Sequence, residues 1–372
     1  MAGFSSVTSL ESVVFAQNAS FDGTERGGLM TTDGQLWIGA MASPHVKLGT
    51  LTSPDGSITI GYSSPNITLQ VNGGAPYYSL TPYIVGTDTH SQYATIAAAI
   101  AQAITDGASL SNPKNIHIKP KGSDYTENFS VVDGINLIGQ GDQTAISGKI
   151  SMSTAGEASI SNLTLKTNGD FCISMTGSAA SELVIYNCNI HATNNTAISQ
   201  TSSNAASIIP INDSFFFIEN TGIAPWVSSS AGFISIANSS SGNTGSSTTQ
   251  ASNSSGNVQI FDCVFDFPIS SSGTGSVNIV GGITSCALLN VTALTLNGTS
   301  GNSVTQSIIA GGTASAMSVG AGSTTTAQFL SAASSNTNVI TGAGTLQYSF
   351  ISFSGASSGH NVTTETALNT LI

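Results

Sequence analysis

Ile160-Ser-Asn-Leu-Thr-Leu165, Ile185-Tyr-Asn-Cys-Asn-Ile190, Ile211-Asn-Asp-Ser-Phe-Phe216, Ile236-Ala-Asn-Ser-Ser-Ser241 and Ile260-Phe-Asp-Cys-Val-Phe265 are five copies of one phrase, apolar–x–Asn/Asp–x–x–apolar. The fourth lacks its final apolar residue. The copies start at 160, 185, 211, 236 and 260, in steps of 25, 26, 25 and 24 residues, and a period of that size marks a solenoid. Looser copies follow at Leu288-Leu-Asn-Val-Thr-Ala293, Val304-Thr-Gln-Ser-Ile-Ile309 and Leu346-Gln-Tyr-Ser-Phe-Ile351.

Strand side chains alternate with a period of two, yet the first and sixth places of the phrase have opposite parity. A bend at the third place removes the conflict, because Asn and Asp tolerate the left-handed conformation that a one-residue bend needs. Each copy therefore reads strand, bend, strand. Stacked about 4.8 Å apart, the copies build parallel sheets and bury columns of Ile, Leu and Phe. Bend side chains at Asn162, Asn187, Asp213, Asn238, Asp262 and Asn290 are expected to hydrogen-bond in a ladder. The fold expected is all-β, a right-handed parallel β-helix, with the hand taken from the general crossover rule. A β-sandwich with accidental spacing is the alternative.

Composition agrees with a folded, weakly charged chain. Of 372 residues only 7% are charged while 40% are hydrophobic, the opposite of the balance that produces disorder. All seven basic residues (Arg26, Lys47, Lys114, Lys119, Lys121, Lys149, Lys166) precede position 167, and the rest of the chain carries only acids. Without a basic footprint, nucleic acid and anionic membrane surfaces are not expected partners. The N-terminus has no basic and apolar signal-peptide pattern, and no apolar run is long enough to span a bilayer. Cys188 and Cys263 share a place in the phrase three rungs apart, about 14 Å, too far for a disulfide, so the cysteines read as buried thiols.

The chain divides into an attachment arm at 1–31, a β-rich shaft and neck at 32–90, a parallel β-helix at 91–300, and a narrowing β-helix or β-prism tip at 301–372. The shaft contains Thr32-Asp-Gly-Gln-Leu-Trp-Ile-Gly39, Lys47-Leu-Gly-Thr-Leu-Thr52, Gly56-Ser-Ile-Thr-Ile-Gly61 and Asn66-Ile-Thr-Leu-Gln-Val71, short strands separated by turn signals. Four such strands bury little area, so partner chains are expected to close their core. This order of motifs resembles the Gly-Gln-Leu-x-Ile-Gly shaft repeats of bacteriophage and prophage tail fibres, a family in which three chains wind together. The resemblance covers 32 to about 71 and implies a homotrimer whose N-terminal region docks on other virion or tail proteins.

A helix follows over 92–105, with Ile96, Ile100 and Ile104 on one face, Ser91 as N-cap and Asp106-Gly107 as its end. Then come Ile116 to Phe129 and Gly134-Ile-Asn-Leu-Ile-Gly-Gln-Gly141. This run resembles the opening of the pectin-lyase-like β-helix superfamily, where a Tyr-x-Thr-Ile helix (here Tyr93, Thr95, Ile96) caps the first rung. A Pro-x-Gly-x-Tyr-x-Glu-Asn segment then forms that rung, met here by Pro120, Gly122, Tyr125, Glu127 and Asn128 with one extra residue before the Tyr. Gly139 and Gly141 match the turn into the next rung. The resemblance extends to about 300 and implies the fold, while leaving activity open.

Two polar inserts, 200–207 and 238–256, read as loops on one face, where ligands usually bind. Candidate ligand-binding residues are Trp226, in a loop after Ala224-Pro225, Phe217 and Asn243. No His pair has metal spacing and no nucleotide loop is present, so neither a metal nor another cofactor is expected. A lyase would need a Lys or Arg base, and none follows Lys166. Asp213 and Asp262 lie two rungs apart, about 9.6 Å, just permissible for an inverting glycosidase, but both occupy bend places.

The reading is a structural fibre or spike of a phage or phage-like particle, virion-borne and trimeric, that binds a host cell-surface glycan or envelope protein. A tailspike polysaccharide depolymerase using Asp213 and Asp262 is the alternative, and a secreted bacterial adhesin is the third.

Overall fold

The computed structural model describes residues 82–219, 223–243, 250–285, 291–328, 330–336 and 338–354, and the strands Gln35–Gly39, Val46–Thr50, Ile58–Ser63, Asn66–Val71 and His360–Ala367. The chain forms two compact units, Met1–Pro76 and Tyr77–Ile372. In the first, Gln35–Gly39 pairs antiparallel with Val46–Thr50, and Ile58–Ser63 with Asn66–Val71. The expected shaft strands are these two hairpins, while the arm at 1–31 lies outside the described residues.

The second unit is a parallel β-helix of about nine turns. One coil shows the plan. Ile173–Met175 belongs to a first sheet, Ser181–Tyr186 to a second, Asn187 turns the corner, and Asn189–Ala192 belongs to a third. The next coil repeats the course with Ile198–Gln200, Ile208–Asn212 and Phe215–Ile218, each pairing parallel on the strand one coil earlier.

The bends fall where the phrase places them. Asn162, Asn187, Asp213, Asn238 and Asp262 have φ of 54°, 49°, 49°, 49° and 50°. In each, the bend N–H donates to the carbonyl just before the next bend: Asn162 to Tyr186 at 3.2 Å, Asn187 to Asn212 at 3.1 Å, Asp213 to Ala237 at 3.2 Å, Asn238 to Phe261 at 3.1 Å and Asp262 to Val280 at 3.0 Å. A side-chain link is added between Asn187 Nδ2 and Asn162 Oδ1, at 2.7 Å. The ladder that runs the length of the body is thus made of backbone.

Beyond Asp262 the register differs from the sequence reading. The next bend is Gly281, φ 75°, whose N–H donates to Thr305 at 2.9 Å. Asn290 is therefore not the ladder residue of that coil, and it lies outside the described residues. A coil of 19 residues, 262 to 281, places the turn on a glycine that needs no side-chain mark. Gln306 bends as expected, φ 51°, but the last copy is displaced by two, with Tyr348 still in the strand Ile340–Ser349 and Phe350 at the bend, φ 53°.

The interior is a set of stacked columns. Ile160, Ile185, Ile211, Ile236, Ile260, Ile279 and Val304 form one, all buried and in continuous register. Each such side chain contributes about 1.5–3 kcal/mol through burial. The same sheets continue through Asn302–Thr305, Thr324–Gln328 and Ile340–Ser349 to His360–Ala367. The described part of 301–372 therefore continues the parallel solenoid.

The solenoid also starts earlier than expected. Tyr83–Val85, placed in the neck by sequence, pairs parallel with Lys114–Ile118. The helix spans Ile96–Thr105 and its N-cap is Thr95, whose hydroxyl accepts from the Ala98 N–H at 3.2 Å. Ser91 instead donates to Asp88 at 2.8 Å. The buried face is Ile96, Ala99, Ile100 and Ala103, leaving Ile104 exposed. Glu127, from the first-rung segment, accepts from the N–H groups of Ile96 and Ala97, both at 3.1 Å, so the first rung caps the helix that covers it.

Candidate functional site

The outer faces of the three sheets differ in chemistry. On the first sheet one outward position per rung runs Ser130, Ser151, Ser174, Ser199, Val227, Ser252, Ser270, Thr295, Ser318, Thr341 in continuous register. On the second, Ser235, Gln259, Asn278, Ser303, Thr326 and Gln347 line up in the same way. Asn278 donates to Asn257, Ser303 to Asn278 and Thr326 to Gln347 across adjacent rungs. Hydroxyls and amides satisfy one another there without the repulsion of like charges. The exception is Glu157 beside Glu182 on the second sheet, where burial and then the neighbouring carboxylate raise the Glu182 pKa.

Charge and rings meet on the third sheet. Lys166, His191, Phe217 and Gly242 are successive partners in one outward column, beside a parallel column of Thr164, Asn189, Phe215 and Ser240. The His191 and Phe217 rings lie 4.9 Å apart, and His191 Nδ1 is 3.9 Å from Glu219 Oε1. That separation is a polar contact rather than a hydrogen bond. Burial lowers the His191 pKa, against the opposite pull of the Glu219 carboxylate. Lys166 donates to both oxygens of Asp124 at 3.1 Å, and Asn189 donates to Asp142 at 2.5 Å. At Gly242 the column loses its side chain and the Phe215 ring leans into the space, 2.8 Å from where a Cβ would stand. The result is a half-exposed platform of Phe215, Phe217 and His191, rimmed by amide, carboxylate and one paired lysine.

Of the residues singled out from sequence, Phe217 lies on this platform. Asn243 ends the adjacent strand Ser240–Asn243, and its side chain is outside the described residues. Trp226 is corrected: it opens the strand Trp226–Ala237, is fully buried, and packs on Phe216, Phe265 and Phe267 at ring separations of 5.8, 5.9 and 5.3 Å. It faces the core because the strand begins at Trp226 itself, one position after Pro225. The 200–207 insert is also less solvated than expected, with Gln200, Ser202 and Ser207 buried and linked by hydrogen bonds.

Asp213 and Asp262 stay on bends in left-handed conformation. Asp262 Oδ1 lies 2.1 Å from the place a Cβ would take on Gly281, so its carboxylate reaches along the ladder toward the next bend. His191, Glu219, Asp124 and Asp142 were not singled out as a site from sequence. They come from different coils; His191 and Glu219 stand four and six places after their bends, where outward residues recur, while Asp124 and Asp142 lie in connecting segments with no such signal. Among the described residues no group of three or more His, Cys, Asp or Glu is arranged to hold a metal ion, and no helix is long and apolar enough to cross a membrane.

No family model and no curated protein matches the chain. Solved structures similar in backbone course include a mannuronan C-5 epimerase A-module from Azotobacter vinelandii, with TM-score 0.42 and 12% identity, covering 74% of this chain and 94% of that one. A pectin methylesterase from carrot gives 0.36 and 13%, covering 79% and 90%, and one from Erwinia chrysanthemi 0.34 and 11%, covering 77% and 93%.

Proposed function

We propose that the protein is a structural carbohydrate-binding β-helix, the body of a homotrimeric fibre or spike on a phage or phage-like particle, which attaches through its N-terminal region and meets a host surface glycan or envelope protein. The observation that carries the binding role is the Phe215–Phe217–His191 platform, whose Phe215–Ser240 column runs on into exposed Val264, Ile283 and Ile308, beside sheets rich in hydroxyl and amide columns. Aromatic faces take up the apolar side of a sugar ring, and amides and hydroxyls both donate and accept to its hydroxyls. Three copies would compensate for weak single sites. The N-terminal hairpins and the tail-fibre resemblance support the fibre assignment. The test is immobilised host polysaccharide against the full chain, with native mass measured in parallel. Binding by a species three times 37.5 kDa supports the reading, and a monomer that binds no surface glycan overturns it.

The second reading is a polysaccharide hydrolase on the same patch, favoured by the carboxylates Asp124, Asp142 and Glu219 that rim the rings. Release of new reducing ends, abolished by Glu219→Gln but not by Asp213→Asn, would select it. The Asp213/Asp262 pair serves this reading less well, since both side chains belong to ladder bends.

A further inference from the structure

We infer that the saccharide taken by the Phe217 platform is uncharged, a neutral hexose or N-acetylhexosamine chain rather than one bearing uronate, sialate or phosphate. This rests on the glycan-binding reading above and adds the ligand's charge class to it.

Recognition of an anionic sugar is strongest where the protein presents a cation to it. The chain has seven Lys and Arg, and the last is Lys166. Two of them, Arg26 and Lys47, belong to the separate N-terminal unit. Of the other five, four are already engaged and one is buried. Lys119 is paired with Asp88 at 3.0 Å, Lys149 with Asp170 at 2.7 Å and Lys166 with Asp124 at 3.1 Å. Lys121 stands over the Tyr125 ring, 4.1 Å from its centroid. Lys114 is buried, at 8% exposure.

Lys166 is the one lysine in the platform column, and its pairing decides the local balance. Turning it toward a ligand would leave Asp124 behind, so a bound anion would gain no net positive charge. Glu219 and Asp142 stand on the same rim without a matching cation. Farther along the body, every charged side chain after Lys166 is a carboxylate. An anionic chain laid on the platform would meet like charge within the ~8 Å Debye length of physiological salt. A neutral chain meets the rings and, on their rim, groups that can hydrogen-bond it.

The experiment is calorimetric titration of the full chain, at about physiological ionic strength. The probes are neutral oligosaccharides (gluco-, manno-, galacto- and N-acetylglucosamine series) and anionic ones (oligouronate, oligosialate, glycerol-phosphate polymer), with and without added calcium. The expected result is that a neutral series binds at least about tenfold more tightly than every anionic one, and that Phe217→Ala abolishes it. Anionic binding of equal or greater strength, lost in Phe217→Ala, keeps the binding reading and overturns the charge assignment, whether or not calcium is needed. Neutral binding that survives Phe217→Ala overturns the platform as the site. Failure of both classes to bind overturns the glycan reading and this inference with it.

Discussion

Asn187 donates from Nδ2 to Oδ1 of Asn162, the bend one rung earlier, across 2.7 Å. Both residues are left-handed, φ 49° and 54°. Asn187→Ala removes the bond and leaves a residue poorly suited to that backbone, so it should cost about 1–2 kcal/mol. Asn187→Gly relieves the backbone part and should cost less. The midpoint of urea unfolding for the two variants separates the hydrogen bond from the conformational preference.

Gln306 holds the same bend conformation, φ 51°, with a side chain that does not favour it. Gln306→Asn should raise stability by about 0.5–1 kcal/mol. An unchanged or lowered midpoint would mean that bend strain is relieved elsewhere.

Gly282 and Gly301 both have positive φ, 81° and 83°, in unequal surroundings. A Cβ on Gly282 would stand 2.1 Å from the Cys263 carbonyl oxygen, while Gly301 has nothing within 4 Å. Gly301→Ala should cost only the left-handed penalty of about 1 kcal/mol. Gly282→Ala adds a backbone clash and should cost about 1–3 kcal/mol more. Equal losses would place no weight on the close approach of the two rungs.

Trp226 and Phe217 should fail in opposite ways. Trp226→Ala empties the aromatic centre and should cost about 3–5 kcal/mol, while Trp226→Phe recovers most of it. Phe217→Ala leaves the core intact and should act on glycan binding. Thermal melting and titration on the same samples distinguish stability from recognition.

Burial pushes the thiols of Cys172, Cys188 and Cys263 up to about 12, 11 and 11. Thiolate is the reactive form, so none should be alkylated in the folded protein near pH 8, and all three should label after denaturation. Peptide mapping by mass spectrometry reads each site. Labelling of Cys188 in native buffer would show that the third sheet opens.

Much of this was legible in the chain because a solenoid repeats its own evidence. The phrase copies at 160, 185, 211, 236 and 260 gave the coil, the bend and the inward column correctly, since one apolar column and one left-handed corner constrain each rung in the same places. Legibility failed where the corner was glycine. Gly281 adopts φ 75° with no side chain to signal it, and the match to the phrase falls at Asn290 instead. The helix start moved from Ser91 to Thr95 because Glu127, far along the chain, supplies the competing cap.

The sequence by itself determined the parallel β-helix, its spacing, the sparse charge of the body and the absence of any Lys or Arg after Lys166, because periodicity and composition are local properties of the chain. The tertiary structure decided which side chains share a face. Trp226 went into the core and Phe217 onto the surface by strand register alone. Lys166, His191, Phe217 and Gly242 became neighbours only because successive coils stack, and Asp124 reached Lys166 across 42 positions. Such proximity depends on the register of whole rungs, and no short stretch of sequence carries it.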